Sequence, residues 1–458
     1  MDTQPAFSAL LNGDDPLKLY ARHVNPQFVR MLRTIGFDLR WERAEGPYIY
    51  DDRGRRYLDM VGGFGMFNVG RNNPRVRAAL QEALALETPG SVQLGVSPLA
   101  GLLARELLAR APSRLGRVLF TSSGTEAVEA ALKLGRAATG RPRVLSAEKG
   151  FHGLTLGSLS AAGCDEFSLP FQPLLDGFDR VPFNDAEALE RELAREDVAV
   201  FLVEPIQGKG VVMPEQGYLE HAQELCRRYG TLFCVDEVQT GLGRTGRLFA
   251  FEHWGLEPDL VPVAKSLSGG YVPSGACLFR TDVFDTVFDS LEHSVRHGST
   301  FAPNDLAMIA GIATMRELDE QGIVEHAARM GKLLLELTEP FVARYEVVSE
   351  VRGLGLMWAI EFAEPRRHRH SWRLLERAHG GLFAQLVVVP LLRDHRILTQ
   401  VAGHGLNVLK VLPPLTLSEA DVTYFTEALD TAVARAAHIP RATARLAFRA
   451  ATHAAVRR

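Results

Sequence analysis

Between residues 75 and 300, short apolar runs alternate with amphipathic stretches, and this alternation restricts the fold more than any other feature of the chain. The runs include RVLF (117–120), RVLSA (143–147), VAVFLVEP (198–205), TLFCVDE (231–237), LVPVAK (260–265) and SGACLF (274–279). Short, continuously apolar runs bounded by polar residues read as buried strands. Between them stand AVEAALKLGRAATG and GYLEHAQELCRRYG, each closed by the glycine that commonly ends a helix. Such alternation predicts an α/β fold with a mainly parallel sheet and helices on both faces.

The flanks read differently. Residues 1 to about 45 form an irregular and helical lead-in, and GPYIYDDRGRRYLDMVGGFG predicts a hairpin turning at Asp52-Arg53-Gly54. A long helical pattern spans 304–345, followed by EVVSEVRGLGLMWAIEF, two strand-like runs about a glycine turn. A further helix, the apolar VVVPLL and ILTQ, and VLKVLPPLTLSEADVTYFTEALDTAVARAA complete a smaller α+β region. The expected division is an N-terminal segment (1–74) belonging with the small domain, a large domain (75–305), the C-terminal small domain (306–437) and a basic tail (438–458). In the tail Arg441, Arg445 and Arg449 recur every four residues without an acid, as in a solvated helix or frayed end.

The chain has 458 residues and a net charge of -4, which gives no reason to expect nucleic acid or an anionic membrane as partner. No apolar stretch reaches the roughly 20 residues needed to span a bilayer. The N-terminus lacks the basic start of a signal peptide. Cys164, Cys226, Cys234 and Cys277 show no metal-binding spacing and predict reduced thiols in a cytoplasmic protein with no metal.

One stretch, VDEVQTGLGRTG (235–246), carries two competing motifs. Its glycines fit a dinucleotide-binding turn, but five residues separate them from the strand end at Val235, and RLFAFEHWG beyond them does not read as a well-formed helix. The acid is the better candidate. Asp236 sits at the carboxyl end of a buried run, where parallel sheets bind ligands, and a buried carboxylate requires a cation. Only seven of the basic residues are lysines, and Lys265 alone passes from a buried strand into a glycine loop, SLSGG. Desolvation there makes an amine nucleophilic. Ser122, Ser123, Gly124 and Thr125 stand where a helix begins, a site for an anion. A phosphorylated pyridine aldehyde that bonds to lysine and sets a carboxylate against its ring nitrogen uses all three, and that cofactor is pyridoxal 5'-phosphate.

Together SSGTE, FHG, EPIQG, DEVQTG, AKSLSGG and HGSTF resemble the class III aminotransferases (ornithine, acetylornithine and putrescine type) of fold type I, from about Tyr48 to about Ala437. The resemblance implies roles residue by residue. Ser123, Gly124 and Thr125 form the phosphate loop, and Phe151 stacks on the cofactor ring. Glu204 orders the site, Asp236 faces the pyridinium nitrogen, Val238 packs on the ring and Gln239 approaches the phenolic oxygen. Lys265 bonds the cofactor and shuttles protons. Thr300 reaches the phosphate of a neighbouring subunit, which implies a homodimer with shared sites. The implied activity is ping-pong transfer of an amino group between an amine and a keto acid or aldehyde.

Three departures bear on substrate. Leu154 stands where many relatives place a carboxylate-binding arginine, Lys209 replaces a common glutamate, and Lys410 occupies the place of an α-carboxylate-clamping arginine. Lysine keeps the charge but loses the bidentate fork. These weaken an acetylornithine, ornithine or 4-aminobutyrate assignment and favour a primary amine or ω-amino compound. The alternatives are an aminomutase or decarboxylating transaminase of the same fold, or a non-catalytic relative; Gln239 within DEVQTG favours intermolecular transfer.

Overall fold

The six apolar runs are six of the seven strands of the central sheet. In a computed structural model that describes residues 15–90, 92, 94–378, 380–403 and 405–440, this sheet comprises β4 (Leu115–Thr121), β5 (Arg143–Ala147), β6 (Phe178–Val181), β7 (Val198–Val203), β8 (Leu232–Val235), β9 (Leu260–Val263) and β10 (Gly275–Arg280). The order is β4-β10-β9-β8-β7-β5-β6. Only β10 runs against the rest, pairing antiparallel with both β4 and β9. The strand missing from the sequence reading is β6, at the sheet edge, where only Val181 is buried and the apolar signal is correspondingly weak.

Every residue of β7 is buried, and its side chains alternate between two cores. Val200 and Leu202 pack with the helix Gly124–Thr139, while Phe201 and Val203 join the core that includes the helix Tyr218–Tyr229. The first helix lies close because Gly135 faces the sheet: a Cβ there would come within 2.3 Å of Val200 Cγ2. Both helices stop at glycines in the left-handed region, Gly140 and Gly230.

The hairpin is present as β2 (Tyr48–Asp51) and β3 (Arg56–Asp59), with β1 (Trp41–Glu45) alongside β2. A second sheet holds β11 (Val348–Leu354), β12 (Met357–Phe362), β15 (Val408–Val411) and β14 (Gln400–Val401). The short β13 (Ile397–Leu398) instead pairs in parallel with β3, so the N-terminal hairpin and the C-terminal part share a sheet. The helical pattern over 304–345 is three helices, Asp305–Glu320, Ile323–Thr338 and Pro340–Arg344. Gly322 at φ 57° and the helix-starting Pro340 interrupt what sequence periodicity reads as continuous. VVVPLL lies in the helix Leu382–His395, with Pro390 inside it. Most of the basic tail, including Arg441, Arg445 and Arg449, lies outside the described residues, as do residues 1–14. Among the described residues no helix is long and apolar enough to cross a membrane.

Candidate active site

Because β4, β5, β7, β8 and β9 point the same way, their carboxyl ends meet along one edge of the sheet. Ser122 follows β4, Phe151 and His152 follow β5, Glu204 follows β7, Asp236 follows β8 and Lys265 follows β9. All of them line one cavity of about 840 Å³. Ser123, Gly124, Thr125, Val238, Gln239, Lys209 and Lys410 line it too. Thr300 and Leu154 do not: both are exposed on this single chain.

Asp236 is fixed from two sides. Its Oδ1 accepts the Val238 N–H at 3.0 Å, and His152 Nδ1 lies 2.7 Å from its Oδ2. Burial alone would lower the His152 pKa, but the hydrogen bond and charge of Asp236 outweigh it, so the imidazole is raised above its ordinary 6.5. Sequence reading used His152 only as a letter of FHG and gave it no role; a lone histidine after a strand offers no signal of which acid it will meet.

Lys265 has a left-handed backbone, φ 45°, two residues after the end of a buried strand. For a residue with a Cβ this conformation is strained, a feature that clusters at functional sites. Burial pushes its ammonium below the ordinary 10.5, partly offset by the charges of Asp236 and Glu204. The neutral, nucleophilic amine is thereby favoured. Glu204 spans the loop carrying the aromatic ring: Oε2 accepts the Phe151 N–H at 3.0 Å and Oε1 the Gly208 N–H at 2.9 Å. Burial raises its pKa.

The phosphate-loop residues open the helix Gly124–Thr139, where Ser123 is the N-cap and accepts the Glu126 N–H. Gly124 is needed for close approach, since a Cβ there would lie 2.8 Å from Val238 Cγ1. Four polar atoms on the cavity's lining residues are buried without a hydrogen-bond partner among the described residues: Ser122 Oγ, Ser274 Oγ, Gln239 Oε1 and His152 Nε2. Free hydroxyls beside a helix N-terminus, a carboxylate and a strained lysine are the donor set that pyridoxal phosphate requires, so the residues present fit that group.

The two cavity lysines differ. Lys410, on β15, is buried and donates from Nζ to Gly208 O at 2.7 Å. Burial, and then the charge of Lys265, lower its pKa to about 8. Lys209 is more exposed and pairs with Glu166 at 3.0 Å. Glu166, Phe64 and Phe167 also line the cavity and were not singled out from the sequence. Phe64 stands in a left-handed run, Gly62-Gly63-Phe64-Gly65, which the glycines alone would have marked only as a loop.

The family model for class-III aminotransferases matches residues 34–433. The chain belongs to that family. This class-III aminotransferase is 42% identical over 374 residues to a putrescine aminotransferase of Pectobacterium atrosepticum, covering 78% of this chain and 79% of the relative. It is 37% identical to aminotransferase PigE of a Serratia species over 91% of its own length, but spans only 53% of that protein. Among solved structures, ornithine aminotransferase from Toxoplasma gondii superimposes with a TM-score of 0.80 at 28% identity, covering 94% of this chain and 98% of that one. An omega transaminase from Pseudomonas jessenii in complex with PMP gives 0.84 at 26% identity, covering 93% and 100%. The fold is therefore fold type I, as the resemblance implied.

The GLGRTG stretch is no dinucleotide site. It forms consecutive turns, and its Arg244 is fully buried, donating from Nη1 to Leu356 O and Pro413 O and from Nη2 to Asn68 Oδ1. Gly243 and Gly246 are left-handed, at φ 91° and 84°, and a Cβ on them would come within 3.2 Å of Leu415 Cδ1 and 2.7 Å of Ala328 Cβ.

Proposed function

We propose that this protein is a pyridoxal-phosphate aminotransferase moving an amino group from a primary amine or ω-amino compound to a keto acid or aldehyde in a ping-pong sequence. The observation that carries this reading is the convergence of strained, desolvated Lys265 and His152-braced Asp236 on one cavity. The naming of relatives for putrescine and ornithine, and of others as amine or omega transaminases, supports an amine donor.

When bound, the cofactor supplies an aldehyde that bonds amines covalently and a ring that withdraws electrons. Asp236 presents a carboxylate to keep the ring nitrogen protonated, and His152 and the Val238 N–H hold that carboxylate in place. With the cofactor bound, Lys265 Nζ would take a proton from the substrate carbon that bears the nitrogen and deliver it to the cofactor's former aldehyde carbon on the other side of that nitrogen, as base and then acid. Ser123, Gly124 and Thr125, with the unpartnered Ser122 and Ser274 hydroxyls, would hold the phosphate, and Phe151 and Val238 would pack on the ring. Lys410 offers a buried ammonium, held by a neutral carbonyl, to the carboxylate of the acceptor. Residues 75–305 form the cofactor domain, with 1–74 and 306–437 as the smaller one.

We read the molecule as a homodimer in the cytoplasm. Leu94, Leu291 and Val295 are 103%, 95% and 86% exposed, a pattern that favours burial against another copy. Thr300 belongs to the same 291–301 segment. Four buried free cysteines suit a reducing compartment. The test is a panel of amines and keto acids applied to the cofactor-loaded enzyme, following conversion of bound cofactor by absorbance. Amine-dependent conversion reversed by a keto acid is expected; conversion without reversal by any acceptor would exclude transfer between two substrates. Sedimentation of wild type and Thr300→Ala tests the dimer, with weaker cofactor retention expected in the variant.

A further inference from the structure

The ion pair Glu166–Lys209 has no part in the chemistry above, yet both residues line the cavity. Glu166 belongs to the short helix after β5, and Lys209 to the loop after β7, next to the Gly208 that holds Lys410. Their side chains are 25% and 18% exposed, so the pair is open enough to exchange partners, whereas Lys410 lies deeper. The fold makes room for it. Gly403, whose backbone lies outside the left-handed region and does not itself require glycine, would place a Cβ 2.7 Å from Lys209 Cε.

A ping-pong enzyme must accept two unlike substrates in one cavity. We propose that Glu166 and Lys209 form a two-sign clamp: a donor's distal ammonium pairs with Glu166, and an acceptor's distal carboxylate pairs with Lys209. The proposal rests on the aminotransferase reading and assigns its substrates, a diamine or other amine with a second cation as donor and a dicarboxylic keto acid as acceptor. A partly solvated ion pair contributes little to stability, so either half is released cheaply to a ligand. Each substrate satisfies one half with its own charge, and the other half, already partly exposed, is left to water. Lys410 remains available for the carboxylate nearer the reacting carbon.

The test compares ligands matched in length but not in charge. In Glu166→Gln the ratio of KM for pentane-1,5-diamine to KM for pentylamine is expected to rise at least about tenfold, the scale of one charge-assisted contact. In Lys209→Met the Kd of glutarate, measured by calorimetry on the holoenzyme, is expected to rise by a similar factor relative to butyrate. Gly403→Ala, which crowds Lys209 without removing a charge, shifts the glutarate ratio in the same direction, and Lys209→Arg restores part of it. Ratios within twofold of wild type in both single variants overturn the clamp, as does a fall in thermal stability with no change in either ratio. Glutarate binding requires no turnover. A failed aminotransferase reading therefore shows as intact glutarate discrimination without amine conversion, and a failed clamp as conversion without discrimination.

Discussion

His152 Nδ1 and Asp236 Oδ2 stand 2.7 Å apart, both buried, with the second ring nitrogen of His152 left without a partner among the described residues. Removing the imidazole leaves Asp236 Oδ2 desolvated and unbraced. A hydrogen bond to a charged group contributes about 1.5–3 kcal/mol. His152→Ala is therefore expected to lower kcat/KM roughly ten- to a hundredfold, with His152→Gln recovering part of the loss. The pH dependence separates positioning from packing. Because the folded-state pKa of His152 is raised above 6.5, the pair's stabilisation is complete below that value and disappears as pH rises through the folded value. The gap in Tm between wild type and His152→Ala should narrow with rising pH, and a constant gap would assign the histidine to packing alone.

Lys265→Ala should fold, since the native amine is desolvated and strained rather than stabilising. It should lack transamination altogether. In the wild type, borohydride reduction should attach the cofactor to the peptide containing VAKSLSGG, as read by mass spectrometry. Label on another lysine would move the site.

Burial and the nearby charge of Lys265 push the pKa of the Lys410 ammonium down to about 8. Its folded-state pKa is depressed, so the charged form costs stability below that pH, and the cost is relieved as pH rises from there toward 10.5. Carboxylate binding runs the opposite way: kcat/KM for a keto acid should fall above about pH 8, while that for a carboxylate-free amine should not follow it. Lys410→Arg should shift the fall to higher pH, because guanidinium stays charged. An unshifted profile would trace the titration to another group.

Arg244→Ala tests the glycine-rich loop as architecture. The change strands Leu356 O, Pro413 O and Asn68 Oδ1 in the interior. At about 1–3 kcal/mol for each unsatisfied group, a loss of 3 kcal/mol or more is expected. Denaturant melts would register it, and a variant as stable as wild type would show that water enters in place of the guanidinium.

The central sheet was legible because its inner strands are buried on both faces and so carry unbroken apolar runs; β6 escaped because Val181 is its only buried residue. Lys265 and Asp236 were legible for the same reason, as polar residues terminating those runs. Partners across the cavity were not. His152 comes from the loop after β5, Glu166 from the short helix Asp165–Ser168 and Phe64 from the glycine turn after β3; local sequence fixes none of their neighbours, and only the meeting of these segments at the sheet edge decides them. Leu154 shows the converse: it stands where many relatives place a carboxylate-binding arginine, yet it is 57% exposed and does not line the cavity of this single chain. The run of helix over 304–345 was overextended because amphipathic periodicity continues through Gly322 even though the backbone does not.

The pairing of β3 with β13 joins residues separated by most of the chain. A ribosome releases the hairpin long before the strand that completes its sheet, so Leu58 and Met60 must wait, unpaired at that edge, until Ile397 emerges. The cofactor cavity is lined both by Phe64 and Met66, after β3, and by Lys410 on β15, which follows β13 in the chain. The enzyme thus cannot acquire a finished site before nearly all of it has been synthesised, and truncations that spare every residue of the central sheet should still yield a protein that fails to retain its cofactor.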